Sequence, residues 1–84
     1  MPDYAEKYPV GAEVRIIDRS GLDQFRSTWH LHNPLSAEQL EWADRRATVA
    51  EVGFYHGGDP LYLLRGMPGI WHEPCLTDVF ERAT

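Results

Sequence analysis

The chain has 84 residues, of which 43% are hydrophobic and 25% are charged, and its formal net charge is −5. This length is enough for one domain with one modest core. The acidic surplus argues against any binding mode that neutralises many nucleic-acid phosphates. The sequence shows neither an apolar run that could span a bilayer nor the pattern of a secretory signal. The single Cys75 cannot form an internal disulfide. We therefore expect a cytoplasmic protein that has a protein partner and no cofactor.

The first ten residues differ in character from the rest. Residues 1–10 are polar, contain two prolines and show no hydrophobic period, which is typical of a flexible N-terminal arm. We expect this arm to contact the domain through Tyr4 or Tyr8. Residues 11–84 are predicted to form a single domain.

The domain is predicted to begin with a strand at Glu13–Asp18, where apolar side chains alternate and a Ser20-Gly21 turn signal follows. Residues 22–34 show no regular pattern, so they are predicted to form a long, partly packed loop anchored by Phe25, Trp29 and Leu31. The prediction for this part of the chain is one strand followed by a loop.

A helix start follows the loop. Ser36 is predicted to be the N-cap and Gln39, three residues later, its reciprocal partner, while Leu35 packs on Leu40 as a hydrophobic staple. The resulting short helix is predicted to end near Asp44. Such a short helix needs packing to be stable.

Three antiparallel strands are predicted between Ala47 and Glu73. The first ends at His56-Gly57-Gly58-Asp59-Pro60, the second is Leu61–Arg65, and Gly66-Met67-Pro68-Gly69 reverses the chain before Ile70–Glu73. Strand periodicity places Ala50, Val52 and Phe54 on one face and Val49 and Tyr55 on the other. The tail at residues 76–80 is predicted to be a last strand or a single helical turn.

These elements together predict a mainly β fold. Five short strands, a long connection after the first and tight turns between the next three are typical of a small SH3-like five-stranded barrel. The predicted short helix lies in the long loop after strand 1.

Two families resemble the chain. Leu61–Arg65, followed by Ile70-Trp71, resembles the "LYxVxF…ELW" ending of the nitrile hydratase β subunit, whose C-terminal part is an SH3-like barrel. The chain is also similar to plasmid type II dihydrofolate reductase through Val14-Arg15, Ser20-Gly21, Val52-Gly53-Phe54-Tyr55, Pro68-Gly69 and Val79-Phe80-Glu81-Arg82. The resemblance implies a barrel that associates with itself or with a partner. It transfers no catalytic residue, because the reductase's Val-Gln-Ile-Tyr run and the hydratase's metal-binding cysteine cluster have no counterpart here.

Histidine and cysteine side chains supply a candidate metal site and a candidate catalytic pair. His30 and His32 lie two residues apart and His72 and Cys75 three apart, and four nitrogen and sulfur ligands could hold a structural zinc ion. Alternatively, Cys75 could be a nucleophile with His72 or His56 as its base and Glu73 orienting that base. The simpler alternative is a buried, inert Cys75 with histidines that lie at the surface or form local hydrogen bonds.

Large aromatic side chains supply a candidate interface. The rings are Trp29, Trp42, Tyr55, Tyr62 and Trp71, and the acidic residues Asp18, Asp23, Glu51 and Asp59 could form its rim. SH3-like barrels present such rings as a peptide-binding groove. The alternative is that most of these rings form the core. The alternation of the third strand pairs Trp71 with Glu73, so Trp71 is predicted to be partly exposed and to belong to an interface.

Three functional hypotheses follow in order. The first is a non-enzymatic protein-interaction or accessory domain that acts through the aromatic patch and could associate with itself. The second is a small acidic inhibitor or immunity-type protein that blocks a basic site on its partner. The third is a metal-binding or Cys/His enzyme subunit.

Overall fold

The fold is a small antiparallel β-sheet with one α-helix. The computed structural model of the chain describes residues 6–55 and 58–79. The strands are β1 (Glu13–Ile16), β2 (Arg46–Tyr55), β3 (Asp59–Leu64), β4 (Trp71–His72) and β5 (Leu76–Asp78); the helix is α1 (Arg19–Thr28), and two 3₁₀ helices span Gln39–Trp42 and Glu73–Cys75. The five strands form one sheet in the order β4-β3-β2-β1-β5. The predicted mainly β class and the five antiparallel strands are confirmed. The sheet is open, with β4 and β5 at its edges.

The long strand β2 joins the two halves of the sheet. Its first part pairs with β1 and its second part with β3, and a bulge separates Val49 from Glu51. Val49 lies opposite Leu64, whereas Val52 lies opposite Tyr62, so the extra residue brings Val49 and Val52 to the same, inner face. The prediction that these two valines face opposite ways is therefore wrong.

The core lies beneath this inner face. Its buried members are Tyr8, Val14, Ile16, Leu22, Leu35, Leu40, Val49, Tyr62, Leu64, Trp71, Cys75 and Leu76. Tyr62 and Trp71 pair across β3 and β4 and are both 0% exposed. The prediction of a partly exposed Trp71 is wrong, because β4 ends at His72 and the chain turns into a 3₁₀ helix at Glu73. Strand alternation therefore does not extend to Glu73, and the position of Glu73 does not predict the side of the sheet on which Trp71 lies.

The segment predicted as an irregular loop contains α1. The Asp18 carboxylate caps this helix by accepting a hydrogen bond from the Gly21 backbone N–H at 2.8 Å. Leu22 is fully buried and Phe25 packs against the core. The prediction that Leu31 is an anchor is wrong, because Leu31 follows the helix and is 67% exposed. The β1 strand is correspondingly shorter than predicted and ends at Ile16.

The contacts of the predicted helix start at Ser36 are present. The Ser36 N–H donates to Gln39 Oε1 at 2.9 Å, and the Gln39 N–H donates to Ser36 Oγ at 3.3 Å. Leu35 and Leu40 are both buried. The short helix that follows is a 3₁₀ helix and ends at Trp42, just before its predicted end near Asp44.

The segment before β1 packs on the sheet. Tyr8 is buried, and its hydroxyl donates to the Leu76 carbonyl at 3.4 Å. Tyr4 and Phe80, named in the sequence predictions, lie outside the described residues. Within the described part of the chain, no helix has the length and apolar character needed to cross a membrane.

Candidate functional site

One cleft combines aromatic, proline and carboxylate side chains. It has a volume of about 190 Å³ and is lined by Phe25, Trp29, Asp59, Pro60, His72, Glu73 and Pro74. Its walls come from the end of α1, the start of β3, strand β4 and the second 3₁₀ helix. We call it the aromatic cleft. Apart from His72, its polar side chains are two carboxylates.

The wall from α1 consists of two stacked rings. Phe25 lies in the last turn of α1, and Trp29 is the residue that caps the end of the helix. Their ring centroids are 5.3 Å apart and their planes differ by 16°. The indole N–H of Trp29 donates to the His32 carbonyl at 2.7 Å, which fixes the ring in place. This part of the cleft is therefore held in one arrangement before any ligand binds.

His72 forms the floor of the aromatic cleft. Its ring lies 5.1 Å from Phe25 and 4.7 Å from Trp29, and only 2% of the residue is exposed. Its Nε2 lies 2.7 Å from the Asn33 carbonyl oxygen; a carbonyl only accepts, so Nε2 carries a proton and donates. Burial lowers the pKa of His72 below 6.5 and outweighs the hydrogen bond to Asn33, which raises it. The His72 ring is therefore uncharged at neutral pH, and the hydrogen bond to Asn33 fixes its orientation.

His32 connects the aromatic cleft to the β2–β3 hairpin. Its ring stacks on Tyr55 with centroids 3.6 Å apart and planes 12° from parallel. Its Nε2 is buried, lies 3.5 Å from Asp59 Oδ2, and makes no hydrogen bond within the described residues. His32 and His72 have ring centroids 5.6 Å apart. The two histidines therefore contribute packed rings to the site.

Glu73 ties the aromatic cleft to the core and to the N-terminal segment. Its Oε2 accepts hydrogen bonds from the Tyr62 hydroxyl at 2.7 Å and from the Lys7 N–H at 3.0 Å. Burial and the hydrogen bond to Glu73 raise the pKa of Tyr62 to about 12. Tyr62 is therefore a neutral phenol that holds this carboxylate in place.

The predicted zinc ligands do not converge. His30 is exposed, Cys75 is fully buried, and no group of three potential ligands exists among residues 6–55 and 58–79. Burial raises the pKa of Cys75 to about 12, so the thiol carries its proton at neutral pH. Such a cysteine is a poor nucleophile. His56, the alternative base, lies outside the described residues.

The five predicted interface rings separate into three groups. Trp29 lines the aromatic cleft. Tyr55 is 41% exposed and stacks on His32, which places it beside the cleft. Trp42 is half-buried elsewhere, with the Arg45 guanidinium 5.0 Å from its ring centre. Tyr62 and Trp71 belong to the core. The sequence prediction missed the pairing of Phe25 with His72, although the helical spacing of Phe25 and Trp29 was visible.

The predicted acidic rim is also dispersed. Asp59 lines the aromatic cleft and Glu51 is exposed on β2. Asp18 caps α1, and Asp23 forms an ion pair with Arg19 at 3.4 Å. Of the four predicted rim residues, Asp59 alone lines the cleft, and Glu73 accompanies it.

Comparison with known proteins adds no family to this description. No protein-family model matches the chain, and neither a curated protein nor a solved structure matches it. The aromatic cleft is therefore the main basis for a functional assignment.

Proposed function

We propose that the protein is a non-enzymatic SH3-like barrel domain that binds a segment of a partner protein in the aromatic cleft. The strand order β4-β3-β2-β1-β5, in which the last strand returns beside the first, supports the barrel. The ten-residue β2 supports it too, because strands that turn a corner between two packed sheets do so at a bulge. The long β1–β2 connection carries one wall of the cleft.

The observation that carries the proposal is the stacked pair Phe25 and Trp29 beside His72 in a concave site. Binding sites are typically concave and apolar, with a few polar groups that orient the ligand. Aromatic rings supply large contact areas at low cost in conformational entropy. Pro60 and Pro74 extend the apolar lining at little entropic cost, because a proline ring is already rigid.

The charges at the aromatic cleft favour a basic partner segment. Asp59 has a side chain that is 55% exposed, whereas Glu73 already accepts two hydrogen bonds within the domain. A lysine or arginine of the partner could lie on the Trp29 ring and approach Asp59, which combines a cation–π contact with an ion pair. The net charge of −5 also favours a basic protein over nucleic acid as partner.

The buried thiol of Cys75 and the neutral His72 support a binding role over catalysis. We propose the cytoplasm as the compartment, because a lone, buried thiol suits a reducing environment. The acidic-inhibitor hypothesis is the second candidate, and the net charge of −5 is the observation that favours it.

Selection from a display library of random peptides tests the proposal. We expect bound peptides to combine basic and apolar residues, and to shift the NMR signals of Trp29 and Tyr55. Trp29→Ala should weaken peptide binding by about tenfold or more, as hot-spot tryptophans do. Trp42→Ala is the matched control, since Trp42 lies outside the cleft lining; both variants should first be shown to be folded.

Three outcomes would contradict the proposal. They are the selection of no peptide, equal losses in the two tryptophan variants, and NMR shifts away from the aromatic cleft. Salt separates the two candidate functions, because an acidic inhibitor should lose affinity steeply as salt rises, whereas an aromatic cleft should lose little.

A further inference from the structure

A second surface lies on the outer face of β2 and β3. Glu51 pairs with Leu63 and Gly53 with Leu61 in the strand register, and these residues join Ile70 around a shallow groove of about 190 Å³. Leu63 is 39% exposed. No atom lies within 4 Å of the position that a Cβ on Gly53 would take. The result is an apolar strip that is open to solvent.

The charges along β3 are arranged symmetrically around this strip. Tyr62 and Leu64 are buried, so the alternate residues of the strand face outward. Leu61 and Leu63 lie one residue on either side of Tyr62, while Asp59 and Arg65 lie three residues on either side and carry opposite charges. Arg65 continues the ladder, because its N–H donates to the Thr48 carbonyl at 2.9 Å. Along this outer face, an acidic residue, two leucines and a basic residue therefore follow one another, the last of them directly after the end of β3.

We propose that this face binds a second copy of the same chain in an antiparallel, two-fold arrangement. A two-fold axis that lies between the two copies, parallel to the sheet and perpendicular to β3 at the level of Tyr62, places the leucine pair of one copy on that of the other. The same axis brings Asp59 of each copy opposite Arg65 of the other. One two-fold rotation therefore covers the apolar centre of the strip and pairs the opposite charges at both of its ends.

The available partners of these charges support the arrangement. Arg65 makes no ion pair within residues 6–55 and 58–79, and Asp59 has a histidine contact at 3.5 Å that is longer than a hydrogen bond. Six residues of strand span about 20 Å, so the two ion pairs would flank the leucines without crowding them. Opposite charges placed in this way fix orientation and register more than affinity.

The expected dimer is weak and reversible. Its apolar centre comes from Leu61, Leu63 and Ile70 of each copy, and contacts of this size fall in the class of transient interfaces. Pairing through a sheet edge is a poorer alternative, because the edge strand β4 has only two residues. The face of β3 is therefore the surface we assign to self-association.

Analytical ultracentrifugation of the whole chain over a wide concentration range tests the proposal. We expect a monomer–dimer equilibrium whose dissociation constant rises by about tenfold or more in Leu63→Lys, because the axis places each introduced lysine against Leu61 of the other copy, where burying its charge is costly. Leu31→Lys is the matched control, since Leu31 is 67% exposed away from the strip, and it should leave the equilibrium unchanged.

Charge reversal tests the symmetry itself. Asp59→Lys and Arg65→Glu should each weaken the homodimer, because each opposes like charges across the interface. A mixture of the two variants should form a heterodimer, since the introduced lysine of one chain then faces the introduced glutamate of the other, and the unchanged Arg65 faces the unchanged Asp59. Absence of a concentration-dependent mass, an equal effect of Leu31→Lys, or a mixture that associates no better than either variant alone would overturn the proposal. Asp59 also lines the aromatic cleft, so Asp59→Lys should weaken peptide binding as well. Leu63 and Arg65 lie outside the cleft lining, so Leu63→Lys and Arg65→Glu should weaken the homodimer and leave peptide binding unchanged.

Discussion

The hydroxyl of Tyr62 links three parts of the chain. It donates to Glu73 at 2.7 Å and accepts from the backbone N–H groups of Lys7 and Tyr8 at 3.1 and 3.3 Å. One buried oxygen therefore connects the sheet, the second 3₁₀ helix and the segment that precedes β1. The fully buried Tyr62 ring keeps this oxygen away from competing water.

Replacing Tyr62 with phenylalanine tests the importance of this oxygen. Tyr62→Phe keeps the ring but removes the hydroxyl that accepts from the Tyr8 N–H and donates to the Glu73 carboxylate. The loss of these hydrogen bonds should lower the free energy of unfolding by about 1–3 kcal/mol. Urea denaturation measures the loss. Glu73→Gln keeps an oxygen acceptor for the hydroxyl and should cost less. Equal midpoints for the wild type and Tyr62→Phe would show that water replaces the bonds.

The lowered pKa of His72 makes the stability of the folded protein depend on pH. Burial lowers the pKa of His72 from 6.5 in the folded protein, so the unfolded chain binds this proton more readily. The contribution of His72 to stability is fully present above pH 6.5 and is lost as the pH falls toward the folded-state pKa. We expect the midpoint of denaturation to decrease as the pH is lowered below 6.5, with a smaller decrease in His72→Gln. Parallel slopes in the two proteins would contradict this role.

The β3–β4 turn and the first 3₁₀ helix are held together by one buried amide. Gln39 is 2% exposed, and its Nε2 donates to the Ile70 carbonyl at 3.0 Å. Its Oε1 accepts from the Ser36 N–H. Gly69 sits against this amide with φ of +78°, so the turn needs glycine both for its backbone and for its close contact.

Two glycine variants separate these requirements. A Cβ on Gly69 would lie 2.8 Å from the Gln39 side chain, whereas a Cβ on Gly66, with φ of +75°, would meet no atom within 4 Å. Gly66→Ala should lose about 1–2 kcal/mol from backbone strain alone, and Gly69→Ala should lose more. Thermal denaturation compares them. A Gly69→Ala variant as stable as Gly66→Ala would mean that Gln39 moves aside without cost.

The strands of this fold were predictable from the sequence, whereas the helix was missed. Gly66 and Gly69 flank the turn between β3 and β4, and the preference of glycine for this turn depends only on the local backbone conformation. Strands β3 and β4 therefore lie close to their predicted positions. The Ser20-Gly21 pair was interpreted as a turn, although Gly21 lies in the first turn of α1 and donates to its Asp18 cap. The spacing of Leu22, Phe25 and Trp29 was the available signal.

The composition of the aromatic cleft could not be predicted from local pattern. Phe25 and His72 are far apart in sequence, and their contact depends on how α1 packs on β4. The burial of Trp71 depends on where β4 ends, which is a property of the following 3₁₀ helix. The bulge after Val49 reverses side-chain parity without a glycine or proline to signal it.

Cys75 can report on the opening of the whole molecule. Its side chain is fully buried and burial raises its pKa to about 12, so a thiol reagent needs an opened state to react. We expect labelling at neutral pH to be slower than in denaturant by a factor on the order of a thousand or more. Mass spectrometry after timed exposure to iodoacetamide measures the ratio. Rapid labelling of the folded chain would indicate local opening around the second 3₁₀ helix.

The position of β1 between β2 and β5 has a consequence during protein synthesis. Val14 of β1 pairs with Ala47 on one side and with Asp78 on the other. Strand β1 is made before the other strands of this sheet and is therefore the last to complete its hydrogen bonds, because one partner strand is made more than sixty residues later. Val14 and Ile16, both fully buried in the finished fold, lack their final cover until residue 78 has been added, which makes the nascent β1 a natural contact for chaperones.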